Sequence, residues 1–346
     1  MLNVKRHAIL LNKTNFGFER EGVLNPAVIQ DKGIIHILYR AVAQGNYSTI
    51  GYCRMKSPLE IEKRYETPLL FPQCDYESQG MEDPRIVKIE ETFYLTYTAY
   101  DKVNTLGALA TSKDLVHFEK RGIIAPKLTY NEFSRLAQSK GKINPKYLRY
   151  NDHINQKEEI EKTIFISDKN IILFPRKINN KFYFLHRIRP DIQIAAVDSI
   201  EDLTTEFWQN YFLHLDEHIV LSPKYQHEVS YIGGGCPPIE TPNGWLVIYH
   251  SVYDTVEGYV YSACASLLDI KNPQIELSRL PYPLFKPEME WEKRGVVNNV
   301  CFPTGAIVIG DTLFVYYGAA DEQIACASMS LSELLSELMQ NQIRDE

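Results

Sequence analysis

The sequence EDPRIVKIEETFYLTYTAYD, residues 82–101, joins a charged, proline-containing start to an alternating strand rich in aromatic residues. Proline fixes the backbone angle φ, so Asp83 and Arg85 on either side of Pro84 are held with little conformational freedom. The alternation of apolar and polar residues that follows is typical of a β-strand with one buried face. The same frame recurs along the chain, and this recurrence predicts the fold.

Five segments share this layout of a proline, a short apolar stretch, a polar turn and an aromatic strand. They are residues 25–43, 82–101, 174–191, 237–254 and 302–321. Each is followed by a further strand rich in small residues, and repeats of this length and content are typical of propeller blades. The sequence therefore predicts an all-β fold, namely a single five-bladed β-propeller domain spanning residues 1–346. The aromatic strands are expected to lie innermost, around the propeller axis.

Two segments break the strand pattern. Residues 127–162 are highly charged and have helical rather than strand periodicity, which predicts an inserted, partly helical segment. We expect this insertion to be a lid over one face of the propeller, a solvated loop, a wall of the acceptor side of a pocket, or a contact in a homo-oligomer. Residues 330–340, SLSELLSELMQ, predict a short amphipathic C-terminal helix on the outside of the domain.

Composition excludes several classes of partner. The net charge of −7 argues against binding to nucleic acid or to an anionic membrane surface. No apolar run is long enough to span a membrane, and the N-terminal residues lack the apolar core of a signal peptide. As written, the sequence predicts a cytoplasmic protein, or a periplasmic one if a leader has been removed. The six cysteines have no metal-ligand spacing and are expected to be free buried thiols, and no metal site is predicted.

Polar side chains stand at the ends of the five aromatic strands. The pairs are Tyr39 and Arg40, Tyr97 and Asp101, His186 and Arg187, Tyr249 and His250, and Tyr317 and Asp321. Equivalent strand ends converge on the axis of a propeller, so we expect these groups to surround one polar pocket. The sequence contains no nucleophile elbow, P-loop or HExxH motif. The chemistry that these residues can still perform is acid–base catalysis by carboxyl groups, assisted by arginine. Cleavage of a glycosidic bond requires such catalysis and few other groups.

Several long motifs resemble glycoside hydrolase family 130. They are NPA at 25–27, GMEDPR at 80–85, LFPRKINNKF with LHR at 173–187, GGGCPPIETPNGWLVIYH at 233–250, LLDIKNP at 267–273 and YYGAAD at 316–321. That family consists of five-bladed propellers that are mostly phosphorylases of β-mannosides, with some hydrolases. The resemblance implies that Asp83 is the general acid of an inverting mechanism. It also implies that Asn25, Arg40, Asp101 and Asp321 contact the sugar whose bond is cleaved.

The resemblance leaves the nucleophile open between phosphate and water. Phosphorylases of the family bind phosphate through several basic residues. In this chain Arg187 and His250 match two of these positions, and Lys169 is the match for a third. At a further position where those enzymes have a lysine, this chain has Tyr231. Carboxylates at the same rim, Glu228 and Glu257, would repel phosphate and are expected to activate water instead.

The sequence therefore predicts an inverting glycosidase that hydrolyses terminal β-mannosides, most naturally β-1,2-linked ones, with Asp83, Glu228 and Glu257 as catalytic residues. The substrate-binding set is expected to be Asn25, Arg40, Arg85, Asp101, His186, Tyr231 and Asp321. The first alternative is a β-mannoside phosphorylase with inorganic phosphate as co-substrate and no other cofactor. The second alternative, from another class, is a non-catalytic propeller that binds a β-mannoside oligosaccharide.

Overall fold

The computed structural model describes residues 2–140, 143–152 and 162–343, and this part of the chain is mostly β-strand. In chain order the first ten strands are β1 (Lys5–Leu11), β2 (Gly22–Asp31), β3 (Ile34–Ala43), β4 (Tyr47–Ser57), β5 (Glu60–Arg64), β6 (Gly80–Ile89), β7 (Thr92–Tyr100), β8 (Thr105–Ser112), β9 (Phe118–Ile123) and β10 (Lys169–Leu173). The next are β11 (Phe182–Arg187), β12 (Ile192–Val197), β13 (Ile219–Leu221), β14 (Tyr231–Gly234), β15 (Ile239–Thr241), β16 (Gly244–Thr255), β17 (Gly258–Leu268), β18 (Glu276–Arg279), β19 (Cys301–Ile309), β20 (Thr312–Ala319) and β21 (Gln323–Ser330). The described α-helices are α1 (Tyr130–Ala137), α2 (Pro145–Asn151), α3 (Thr205–Leu213), α4 (Glu290–Lys293) and α5 (Leu331–Gln340).

Strand pairing divides the described strands into five antiparallel units of similar layout. The units are β2-β3-β4-β5, β6-β7-β8-β9, β10-β11-β12-β13, β14-β16-β17-β18 with β15 also on β16, and β19-β20-β21-β1. A single parallel bridge between Ser48 and Gly80 joins the first two units. The N-terminal strand β1 completes the sheet of the fifth unit by pairing with β21. The predicted all-β class is confirmed, and closure of the units into a five-bladed ring stays a prediction.

The first strand of each unit lies next to the first strand of a neighbouring unit. Strand β2 packs against β6 and β19, and β10 packs against β6 and β14. The aromatic strands β3, β7, β11, β16 and β20 are second in their units, so the prediction that they lie innermost is wrong. Their large side chains are buried between neighbouring units, as Leu95 and Tyr97 are.

A buried link between a glutamate, a tyrosine and a cation recurs in four units. The glutamate lies in a short helical turn before the first strand, the tyrosine on the second strand and the cation on the fourth strand. These Glu–Tyr–cation links are Glu19–Tyr39–Arg64, Glu77–Tyr97–Lys120, Glu228–Tyr249–Arg279 and Glu292–Tyr317–Arg6. All four glutamates are fully buried. In the third unit Asp168 and His186, 2.9 Å apart, replace the glutamate and the tyrosine.

The two predicted helical segments are present in the described residues. The insertion contains α1, which begins with a capping box formed by Thr129 and Glu132, and α2, which has Pro145 at its first position. Helix α5 confirms the predicted C-terminal helix and buries leucines against the fourth and fifth units. Helix α3 was not predicted, although its Trp208 is buried in the core beside α1. No described helix has the length and apolar character needed to cross a membrane.

Replacing Glu77 by alanine is expected to lower the free energy of unfolding by about 3–5 kcal/mol, because Lys120 then becomes a buried cation without its partner. Tyr97→Phe is expected to cost only about 1 kcal/mol, since it removes one hydrogen bond and keeps the ion pair. Urea unfolding followed by circular dichroism measures both, with Glu66→Ala at the surface as the matched control. A Glu77→Ala variant as stable as that control would contradict a stabilising role for the link.

Candidate active site

The first strands of three units carry the same backbone irregularity near their start. Asn25, Asp83 and Asn170 have φ values of 51°, 50° and 59°, in the left-handed region that asparagine and aspartate tolerate best. Each lies where the register between the first and second strands shifts. The sequence repeat was aligned on Pro175 in the third unit, but Asn170 is the residue equivalent to Asp83. The irregularity brings two of these side chains together, and Asn25 Nδ2 donates a 2.6 Å hydrogen bond to Asp83 Oδ1.

Arginine and lysine surround the carboxylate of Asp83. Arg40 lies 3.7 Å from Asp83 Oδ1 and 2.7 Å from Glu82, and Lys169 lies 3.6 Å from the other oxygen of Glu82. Glu82 is therefore shared between Arg40 and Lys169 and holds both cations near Asp83. Sequence reasoning missed Glu82 as a site residue, although it stands inside the GMEDPR motif.

Two carboxyl groups in the pocket have opposite pKa shifts. Burial raises the pKa of Asp83, but Arg40, Lys169 and Arg85 outweigh burial and hold this pKa below the usual value. Burial, followed by repulsion from the charge of Asp83, raises the pKa of Asp321 to about 6. The Asp321 side chain is half-buried, and the protein atoms around it disfavour its charged form. Below about pH 6, Asp83 is thus the ionised member of the pair in the free protein, and near neutral pH Asp321 ionises as well.

The opposite wall of the pocket is cationic and buried. Arg187 Nη1 lies 3.3 Å from Nε2 of His250, and burial together with Arg187 and Arg85 lowers the pKa of His250 well below its usual value. Arg85 donates to the carbonyl oxygens of Asp83, Pro84 and Gly235, which fixes the turn that presents Asp83. Arg187 Nε and Arg85 Nη2 are buried and have no hydrogen-bond partner among the described residues. Unused buried donors of this kind are suited to an anionic ligand.

Tyr231 forms the edge of this cationic wall. The guanidinium groups of Arg187 and Arg189 lie 5.4 and 5.2 Å from the centre of its ring. Its hydroxyl group is 2.7 Å from that of Tyr261. Arg189 was not predicted as a site residue, and it brings a second cation to the position where Tyr231 replaces a lysine.

The two carboxylates predicted to activate water do not lie in this pocket. Glu228 is fully buried in the link of the fourth unit, where its oxygens accept hydrogen bonds from Tyr249, Arg279 and two backbone amides. Glu257 lies at the exposed tip of the β16–β17 hairpin. The structure therefore contradicts the expectation that either residue stands beside the cationic wall. Glu228 is bound within the core, and Glu257 is exposed to solvent.

Two predicted sugar contacts have structural partners of their own. Both ring nitrogens of His186 are used, by Asp168 at 2.9 Å and by the hydroxyl group of Tyr211 at 2.8 Å, and the side chain is inaccessible to solvent. His186 therefore does not contact a ligand in the pocket, contrary to the prediction. Asp101 Oδ1 accepts backbone hydrogen bonds from Val103 and Asn104, at 2.9 and 2.6 Å, so Asp101 closes its own turn and its sugar contact stays a prediction.

Two other features of the described residues lie apart from this pocket. His227, Glu228 and Cys264 come close enough together to be considered as metal ligands, but Glu228 is already held by Tyr249 and Arg279, so we assign no metal to this group. A wide groove between the outer strands of the second and third units is lined by Lys113, His117 and Arg121, among others, and contains none of the predicted site residues.

A pocket that combines carboxylates with arginines on an all-β scaffold is typical of enzymes acting on carbohydrates. A family model described as beta-1,4-mannooligosaccharide phosphorylase matches residues 12–340. The chain belongs to glycoside hydrolase family 130. The 1,2-beta-oligomannan phosphorylase of Thermoanaerobacter sp. (strain X514) is 31% identical in an alignment of 348 positions that covers 96% of this chain and 99% of that protein. A beta-1,2-mannobiose phosphorylase of the same organism is 31% identical over 327 residues, 90% of each chain.

Solved structures agree with this assignment. The structure of the beta-1,2-mannobiose phosphorylase of Listeria innocua, in complex with beta-1,2-mannobiose, matches this chain with a TM-score of 0.73 and 25% sequence identity. The match covers 98% of this chain and all of that chain. A second structure comes from work on glycoside hydrolases of family 130 that target beta-1,2 mannosidic linkages. It matches with the same TM-score and 22% sequence identity, and the match covers 96% of this chain and 94% of that chain. The second similarity concerns the fold alone.

Asp321→Asn is expected to make the protein more stable at high pH. The folded-state pKa of about 6 lies above the unfolded value, so wild-type stability falls as pH rises from about 4 to 6 and the carboxyl group loses its proton. The neutral amide avoids this loss, which gives the variant an advantage on the order of 2 kcal/mol at pH 8 that shrinks towards pH 4. Thermal unfolding across this pH range measures it, with exposed Asp198→Asn as control. An advantage that does not depend on pH would refute the raised pKa.

Proposed function

We propose that this protein is an inverting β-mannoside phosphorylase. It transfers a terminal mannosyl group to inorganic phosphate and releases mannose 1-phosphate and a shortened acceptor. The observation that carries this proposal is the buried cationic wall, where Arg187 and Arg85 keep hydrogen-bond donors free beside His250. A phosphate dianion accepts hydrogen bonds from such donors and offsets their charge. The names of the two curated relatives, both phosphorylases, support the same choice.

The scaffold of this enzyme is proposed to be the five-bladed propeller predicted from the repeats. Support comes from the five antiparallel units and from the adjacent first strands β2, β6, β10, β14 and β19. In such a ring the turns that carry Asn25 and Asp83 face the axis from neighbouring blades. The sugar is then held by Asn25, Arg40 and Asp321 on one side of the axis, and phosphate by the cationic wall on the other.

Hydrolysis, the first expectation from the sequence, is less well supported. An inverting hydrolase needs a second carboxylate roughly 6.5–9.5 Å from the acid to activate water. Glu228 is enclosed in its structural link and Glu257 is exposed at a hairpin tip. The loss of the lysine replaced by Tyr231 was the main indication of hydrolysis, and Arg189 supplies a cation at the same position.

Asp83 acts as the general acid in the proposed reaction. Its proton goes to the glycosidic oxygen as that bond breaks, directly or through a sugar hydroxyl group, while a phosphate oxygen bonds to the anomeric carbon from the opposite face. The hydrogen phosphate loses one proton in becoming the ester, and this proton restores Asp83. The cations that keep Asp83 ionised in the free protein are partly neutralised by bound phosphate, which raises the pKa of Asp83 towards that of a proton donor.

Incubation with β-1,2-mannobiose is expected to yield mannose 1-phosphate and mannose in equal amounts, and only when inorganic phosphate is present. Asp83→Asn should lower kcat by about 100- to 10,000-fold, the usual contribution of a general acid, without lowering the melting temperature. Chromatography of the products and nuclear magnetic resonance of the ester measure both results. Mannose released at the same rate without phosphate would support the hydrolase instead, and binding without any turnover would support the non-catalytic alternative.

Arg187→Ala should raise the KM for phosphate by tenfold or more and leave the KM for the mannoside nearly unchanged. A hydrogen-bonded charge pair is worth about 1.5–3 kcal/mol, which corresponds to that factor. Arg176→Ala is a suitable control because Arg176 forms an exposed ion pair with Glu240 away from the pocket. Equal effects of the two substitutions on the KM for phosphate would contradict the assignment of the cationic wall.

A further inference from the structure

The insertion helix α2 is fixed to the body of the protein beside the pocket. Lys146 Nζ donates a 2.6 Å hydrogen bond to the carbonyl oxygen of Val229, and Asn151 Nδ2 lies 3.1 Å from that of Arg189. Tyr147 is buried, and its hydroxyl group accepts a 2.8 Å hydrogen bond from Gln193. Helix α2 is therefore held in place on the third and fourth units rather than extending into solvent as a loop.

Helix α2 and the β16–β17 hairpin bring aromatic rings to the edge of the cationic wall. The ring of Tyr150 lies 6.2 Å from that of Tyr231, at 72°. The rings of Tyr259 and Tyr261 approach Tyr231 to 6.3 and 6.4 Å from the hairpin side. Tyr231 is nearly buried at the base of this group, whereas Tyr259 is 46% exposed. We call Tyr150, Tyr231 and Tyr259 the tyrosine platform.

The tyrosine platform is continuous with the pocket. Tyr231 contacts Arg187 on one side and Tyr150 and Tyr259 on the other, so one side chain separates the proposed phosphate site from the platform. An exposed apolar side chain extends the platform outwards, since Val229, whose carbonyl oxygen binds Lys146 of α2, is 53% exposed. Exposed apolar groups that border a polar pocket often mark where a ligand extends beyond the reaction site.

Polar groups around the platform match the hydroxyl groups of a sugar. The guanidinium group of Arg189 lies 5.2 Å from the Tyr231 ring and supplies donors. Asp254, which pairs with Tyr259 across the hairpin and accepts a hydrogen bond from Ser230, supplies acceptors. A mannosyl unit has an apolar face of C–H groups that packs on aromatic rings and a rim of hydroxyl groups that needs both donors and acceptors.

We propose that the tyrosine platform is a binding subsite for mannosyl units on the acceptor side of the substrate, beyond the unit next to the bond that is cleaved. This inference rests on the proposed function, because it assigns the occupant from the β-mannoside bound in the pocket. The platform makes the enzyme prefer oligosaccharides over the disaccharide, and helix α2 of the insertion confers this preference together with the β16–β17 hairpin.

Phosphorolysis of β-1,2-mannobiose, -triose and -tetraose tests the proposal in wild type and in Tyr150→Ala and Tyr259→Ala variants. Wild type should have a higher kcat/KM for the longer substrates. Each variant should lose up to about tenfold in kcat/KM for mannotriose and mannotetraose, because an aromatic contact is worth about 0.5–1.5 kcal/mol. The kcat/KM for mannobiose and the KM for phosphate should change less than twofold. Tyr253→Ala is the matched control, because Tyr253 lies in the same hairpin and on the opposite face from Asp254 and Tyr259.

A second measurement separates this proposal from the proposed function. Isothermal titration calorimetry measures the affinities of the Asp83→Asn variant for mannobiose and mannotriose, with and without the platform substitutions. This measurement requires no turnover. Weaker binding of mannotriose alone supports the platform even if wild type forms no mannose 1-phosphate, a result that overturns only the phosphorylase assignment. Equal losses for both sugars, no preference for length in wild type, or substitutions that instead dissociate an oligomer in size-exclusion chromatography would overturn the platform.

Discussion

A buried carboxylate that is held by a tyrosine and a cation is the interaction on which four of the five units depend, and Asp168 with His186 takes its place in the third unit. It joins the turn before the first strand to the second and fourth strands, so three separate parts of a unit meet at one glutamate. A charge enclosed in protein is tolerated only when its partners are present, so the link is complete or the unit is destabilised.

The link also explains why the reactive groups lie where they do. Tyr39, Tyr97 and His186 face the points at which the first strand shifts register, and Asn25, Asp83 and Asn170 occupy those points. The second strand is fixed by its link, so the irregular turn of the first strand is held in one conformation. On the second strands the anchors Tyr39, His186 and Tyr249 are each followed directly by a pocket residue, namely Arg40, Arg187 and His250, and the turn opposite Tyr97 supplies the acid.

The sequence was sufficient to predict the all-β class, the repeat, both helical segments and the grouping of Asp83 with Arg40 and Asn25. It was misleading for His186 and Glu228, because a polar residue that recurs in a repeat can be an anchor as well as a ligand. The repeat alone cannot distinguish a structural anchor from a ligand-binding residue. The spacing could have identified the anchors, since a glutamate precedes the tyrosine by about twenty residues in three links. Glu82 was overlooked because its role depends on two cations, Arg40 and Lys169, that are distant in sequence.

The fifth unit combines the first and the last strand of the fold. Strand β1 pairs with β21, and Arg6 on β1 provides the cation for Glu292. During synthesis β1 is made before the other strands but finds its partner β21 only after they have been made. Contacts between residues so far apart in sequence form late and slow folding. The other units can assemble as their strands are made, whereas the fifth waits for β21, and until then β1 is an unpaired strand exposed to chaperones and to other chains.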